Sequence, residues 1–170
     1  MSSTGIIFKK REDERYEGFQ EYERLDSLIH DIQLAAERAG LMVNIDPKTS
    51  ESLGKGLYTT GNIANTYEDI PEAQQWVMSI HSDDDWGFFE YTDIREEEGM
   101  IRAVFIDNAP DFAEILLDFL FEYFKLNPND YFWLDGYKWH FTYEDIKRLK
   151  QDAFDPIWCC KDPHADSSNA

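Results

Sequence analysis

Carboxylates offer this chain its first chance at chemistry. Asp83, Asp84 and Asp85 stand side by side between two apolar runs, QWVMSIH and WGFFEYT. Adjacent carboxylates can hold a divalent metal, present negative charge to a basic partner, or keep a turn in water. A second set recurs at helical spacing. Asp111, Glu114, Asp118 and Glu122 are three, four and four residues apart, which lines them on one helix face about 5–6 Å from one another. Acids in a first turn are favoured by the helix dipole, and any amphipathic helix needs a polar outer face. Like charges four apart nevertheless oppose the helix by roughly 0.2–0.5 kcal/mol a pair, so solubility alone does not require a face made only of acids.

Other chemistries fit the sequence less well. LGKGLYTTG, residues 53–61, has glycines and a lysine but not the GxxxxGK[ST] spacing that cradles phosphate. His30, His81, His140 and His164 stand in no HExxH pattern and beside no serine-nucleophile motif. Asp26 and His30, four apart, read as an ordinary surface pair. Cys159 and Cys160 are adjacent, whereas a zinc site needs separated cysteines and a fourth ligand. The Asp triplet lacks the DxDxDG spacing of a calcium loop. No catalytic residue, metal or cofactor is therefore expected.

Charge narrows the partners. Sixteen Lys and Arg against 35 Asp and Glu give a formal charge of −19, a field that repels nucleic acid and anionic membranes and draws basic proteins in. The densest apolar run, Ile115 to Phe124, contains two acids and is too short to span a bilayer. The start, MSSTGIIFKKRED, has no secretory pattern, and two reduced thiols suit the cytosol, so a cytoplasmic protein is expected. Aromatic residues make up 15 % of the chain, enough for a real core and against a disordered acidic tail.

The elements that must position these acids follow from periodicity. Ile6–Lys9 reads as a strand. Leu25 to Ala39 carries apolar residues on one helix face, with Gly40 as its C-terminal cap. Leu41–Ile45 is a strand, and Lys48–Tyr67, rich in Gly, Ser, Thr and Asn, reads as a long irregular loop. Gln75–His81, Trp86–Thr92 and Ile101–Ile106 predict three consecutive antiparallel strands. A helix is expected from Pro110 to Lys125, with Asn108 as cap and Phe112, Ile115, Leu116, Phe119 and Tyr123 inward. Tyr131–Trp133 and Lys138–Phe141 flank Asp135-Gly136 as a hairpin, and Thr142 to Asp145 opens a last helix as a capping box. The reading is one α+β domain over residues 1–160: an antiparallel β-meander packed against two main helices, with a C-terminal hairpin and short helix. Residues 161–170 read as a disordered tail.

On that layout the connections SDDD and DIREEEG fall at opposite ends of the sheet. Asp107 and Asp111 would then neighbour the triplet. The expected partner-binding surface is Asp83, Asp84, Asp85, Asp107, Asp111, Glu114, Asp118 and Glu122. The alternative is a metal-dependent hydrolase or phosphotransferase using Asp83, Asp85, Asp107 and Asp111 as oxygen ligands. A second alternative is mimicry of nucleic acid to block a DNA-binding enzyme.

The stretch DFAEILLDFLFEYFKLNPNDYFW followed by WHFTYEDIKRLK, about Asp111 to Lys150, resembles the C-terminal half of bacterial immunity proteins of contact-dependent growth inhibition systems. The shared features are an acidic, aromatic-rich helix, an NP stop, a hairpin and a capped last helix. The resemblance implies a small cytosolic α+β protein that binds a toxin domain, frequently a nuclease. It implies no catalytic residue and transfers no binding residue.

Overall fold

The computed structural model describes residues 3–51, 56–65, 75–83 and 99–165. Leu25, Leu28, Ile32, Ala35 and Ala36 recur every three or four residues, and the helix they predict is α1, Glu21–Arg38, with these side chains buried. It starts four residues earlier than the apolar pattern, where the backbone N–H of Gln20 donates to Glu23 Oε1 at 3.0 Å. It stops at Gly40, whose φ of 74° suits a residue without Cβ.

Seven strands form one sheet: β1 Gly5–Lys10, β2 Met42–Ile45, β3 Ser50–Glu51, β4 Leu57–Ala64, β5 Gln75–His81, β6 Met100–Ile106 and β7 Tyr131–Leu134. Their order is β2-β4-β5-β6-β1-β7, with β3 beside β4, and every pairing is antiparallel. Helix α2, Ala113–Leu126, follows a 3₁₀ turn at Ala109–Phe112, and α3 spans Tyr143–Gln151. The main core joins α1, α2 and α3 to the sheet through Ile7, Trp76, Met78, Ile80, Val104 and Ile106, among others. Because successive strand residues face opposite ways, Ile6 and Phe8 join Met100 and Trp133 in a second, smaller cluster. The α+β class and the antiparallel sheet packed against helices are as the periodicity predicts.

Four expectations need correction. Lys48–Tyr67 is not a wholly irregular loop, since half of it forms β3 and β4, with 52–55 and 66–67 outside the described residues. The alternation there is masked by small residues. Thr59 is buried, with its hydroxyl donating to the carbonyls of Asp46 and Lys48 at 2.7 and 3.0 Å, and a Cβ on Gly61 would lie 2.7 Å from the Asn44 carbonyl oxygen. Next, β5 and β6 pair directly, Met78 with Ile106 and Ile80 with Val104. No strand separates them, and Trp86–Thr92 lies outside the described residues. Asn108 has a left-handed backbone, φ 55°, and its side chain makes no cap hydrogen bond. Finally, Lys161–Ala165 fold back on α3: Lys161 Nζ meets Asp155 at 2.7 Å and His164 Nε2 lies 3.4 Å from Asp145. The rest of the expected tail, 166–170, is outside the described residues.

The last helix begins as its sequence predicts. Thr142 N–H donates to Asp145 Oδ2 at 2.9 Å, and Asp145 N–H donates to Thr142 Oγ1 at 3.3 Å, so each satisfies a backbone donor the helix start leaves open. Asp145 also receives Arg148 Nη2 at 2.6 Å.

Candidate functional site

Leu116, Leu117, Phe119, Leu120, Tyr123 and Phe124 fix the inner side of α2 by their burial. The acids at 114, 118 and 122 are thereby turned outward. Their surroundings differ along the helix. Near its C-terminal half, Asp118 Oδ1 accepts from Lys150 Nζ at 2.6 Å and Glu122 Oε1 from Lys125 Nζ at 3.1 Å. At its head, Asp107, Asp111 and Glu114 are exposed and form no ion pair among the described residues. Asp111, Glu114 and Asp118 border a cleft of about 360 Å³ closed by Asn65, with Phe112 and Ile115 supplying an apolar wall. Carboxylates around an apolar wall suit an extended basic side chain, whose stem needs apolar contact and whose head needs negative charge.

Asp83 does not join this site. Asp83 is 4 % exposed and receives Arg11 Nε at 3.0 Å. Ser82 is equally enclosed: its hydroxyl donates to Glu21 Oε2 at 2.6 Å and accepts from Leu57 N–H at 2.8 Å. Asp84 and Asp85 lie outside the described residues. Since β6 runs antiparallel to β5, it starts where β5 ends. Asp107 N–H donates to the Val77 carbonyl at 3.0 Å, and at about 3.3 Å per residue the stretch from Val77 to Asp83 covers about 20 Å. Asp83 therefore sits at one end of the sheet and Asp107 with Asp111 at the other, so the expected neighbourhood of these acids is corrected. Gly99, the last residue of DIREEEG, accepts from Arg11 N–H at 2.8 Å, which puts Gly99 at the Asp83 end and not at the opposite one as expected; residues 93–98 lie outside the described residues. An oxygen cage drawing on both Asp83 and Asp107 is excluded by this separation. Among the described residues, no three His, Cys, Asp or Glu side chains gather as metal ligands.

Periodicity passed over a second charged constellation, buried between β1, α1, α2 and the turn before β7. Lys9, 3 % exposed, donates to Asn127 Oδ1 at 2.8 Å and pairs with Asp130 Oδ2 at 3.0 Å. Tyr123 OH donates to the same Asp130 carboxylate at 2.7 Å. Asn127 Nδ2 reaches Asp31 at 3.3 Å, and Asp31 pairs with Arg15 at 2.7 Å. Burial pushes the Asp130 carboxyl above its ordinary range against the pull of Lys9, and burial pushes the Tyr123 phenol well above its own, with Asp130 adding to it. The available signal was Lys9 standing within GIIFKK, where the other residues before it are apolar. The group is closed and satisfied, which fits a structural clasp. At the other end of the molecule, burial pushes the Cys159 thiol up to about 12, which makes it inert as a nucleophile near neutrality.

No protein-family model matches the chain, and no curated protein or solved structure matches it significantly. Among the described residues, no helix is long and apolar enough to cross a membrane.

Proposed function

We propose that this chain binds a basic protein through the acidic head of α2 and neutralises it without turning over a substrate, in the cytosol, as an immunity protein neutralises a nuclease toxin. The observation that carries the reading is the cleft where Asp111 and Glu114 stand exposed with no ion pair among the described residues while Asp118 and Glu122 further along are paired. A formal charge of −19 supplies the long-range field that would accelerate encounter with such a partner. The fold has the α+β character expected from the resemblance over Asp111 to Lys150.

The reading expects the neighbouring open reading frame to encode a basic C-terminal toxin domain, and that domain is the partner to assay. Asp111→Lys with Glu114→Lys should lower its association rate at least tenfold at low salt and flatten the salt dependence, because removing charge from a steered interface acts on the on-rate. Unchanged association would reject the α2 site, and failure of the unaltered chain to bind the domain at all would reject the immunity reading.

A further inference from the structure

Residues after α3 turn back along it and create a second cleft, lined by different residues from the one at the head of α2. An ion pair and a histidine contact hold its outer wall: Lys161 to Asp155 at 2.7 Å, and His164 Nε2 beside the buried Asp145 at 3.4 Å. Trp158 anchors that wall from behind, its Nε1–H donating to the Ala113 carbonyl at 2.7 Å and its ring meeting Phe141 edge-on with centroids 5.2 Å apart. The cleft measures about 370 Å³; half-buried Leu149 and Pro163 supply its accessible apolar floor, backed by Phe141 and Trp158, each 1 % exposed. That volume falls within the range of small-molecule sites, roughly 300–1,000 Å³, which combine an apolar lining with a few placed polar groups.

The rim decides what the floor would hold. Two cations, Arg148 and Lys161, face four carboxylates, Asp145, Asp152, Asp155 and Asp162. Each cation is already paired, Arg148 with Asp145 at 2.6 Å and Lys161 with Asp155 at 2.7 Å. Among the described residues, Asp162 accepts only the backbone N–H of His164, at 2.8 Å, and exposed Asp152 has no ion pair. Four carboxylates against two cations leave two negative charges in excess over the apolar floor. An anion is opposed there and a neutral apolar group gains only the floor. We propose that this cleft is a binding site for a cation with an apolar body, an amine or guanidinium on an aromatic or aliphatic stem, whose head lies between Asp152 and Asp162 and whose stem covers Leu149 and Pro163. The same chemistry belongs to a free amine and to a basic side chain beside an aromatic one in a peptide. The site does not depend on the acidic head of α2 being a partner surface.

Phenethylamine, 2-phenylethanol and phenylacetate share a ring and a short stem and differ in charge, so they separate the contributions. Titrated against the full chain and followed by the Trp158 indole N–H resonance, phenethylamine should give a saturable shift. The alcohol and the carboxylate should bind at least fivefold more weakly. Asp152→Asn with Asp162→Asn, which keeps the hydrogen-bond acceptor used by His164 N–H, should weaken phenethylamine at least threefold while the alcohol is unaffected. N-acetyl-phenylalanyl-arginine amide binding more tightly than phenethylamine would assign the site to a peptide, and the reverse order to a free amine. Equal affinity for all three small probes, an unaltered titration in the double variant, or no saturable shift would overturn the proposal. A Leu149→Trp variant, which fills the cleft from its floor, should abolish the shift; persistence of the shift would place binding elsewhere and overturn it as well.

Discussion

Replacing Lys9 by methionine tests the buried clasp between β1 and α2. Methionine keeps the length and apolar character of the lysine stem and removes only the ammonium. Lys9 and Asp130 are each 3 % exposed, so water cannot take over. Asp130 would keep the hydrogen bond from Tyr123 OH, 2.7 Å, and lose its cation at 3.0 Å, and Asn127 Oδ1 would lose its donor at 2.8 Å. Removing one member of a buried ion pair costs about 3–5 kcal/mol. At roughly 2–4 °C per kcal/mol for a chain of this size, the melting temperature should fall by about 6–20 °C in calorimetry. Adding Asp130→Asn should recover at least half of that loss, because asparagine still accepts from Tyr123 and carries no charge to bury.

The pH dependence gives a second readout of the same pair. Burial already holds the Asp130 carboxyl above its ordinary range, and Lys9 is the chief influence lowering it. Without Lys9 it rises further. A carboxyl raised on folding contributes stability that is fully present below its unfolded value, about 3.9, and is lost as pH rises through the folded value. The deficit of Lys9→Met should therefore widen from pH 4 upward and narrow in acid. A loss below about 1 kcal/mol, a deficit independent of pH, or a double variant that loses the sum of both single changes would refute the clasp as an interacting unit.

Gly61→Ala should destabilise the domain by about 1–3 kcal/mol in urea unfolding, since the new methyl would press on the Asn44 carbonyl oxygen at 2.7 Å, a backbone atom that cannot rotate away. Asp83→Asn weakens a charged hydrogen bond from Arg11, and a loss of about 1.5–3 kcal/mol is expected, with association to a basic partner unchanged because this side chain is enclosed. Of the two thiols, Cys159 should remain unreacted with a chromogenic disulfide at pH 8 until the chain is unfolded, since burial pushes its pKa up to about 12; fast modification in the native state would contradict that environment.

Where the sequence pattern is strongly periodic, it anticipates the fold. The α1 stripe, the inner face of α2, the β5 alternation and the Thr142 capping box can all be read from residue spacing because each buries a regular set of side chains or closes a local hydrogen-bond pair. β4 was hidden because Thr59 and Gly61 take positions where apolar residues would have revealed a buried face. The larger misreading came from connectivity. A strand placed between β5 and β6 reversed the direction of β6, and with it the end of the sheet on which Asp107 and Asp111 lie. Local pattern carries no information on which strands become neighbours, since that is settled by side-chain packing across the sheet. For the site, helical spacing found Asp111, Glu114, Asp118 and Glu122 but could not find Lys150, which lies 32 residues from Asp118 and neutralises it at 2.6 Å.

The place of β1 in the sheet bears on how the chain is made. Its two neighbours are β6 and β7, which pair with it through residues 100–106 and 131–134. During synthesis at roughly 5–20 residues per second, the strand waits about 6–25 s between the appearance of Lys10 and that of Leu134. For about the first 5–19 s of that interval, until residue 106 has appeared, Ile6, Ile7 and Phe8, all buried in the finished sheet, have neither lateral partner, and both edges of the strand are open to other chains. A nascent chain stalled before residue 100 would hold this strand without either partner, so ribosome-associated chaperones should crosslink to Ile6–Phe8 in stalled chains ending before β6 and lose that contact once β7 has emerged.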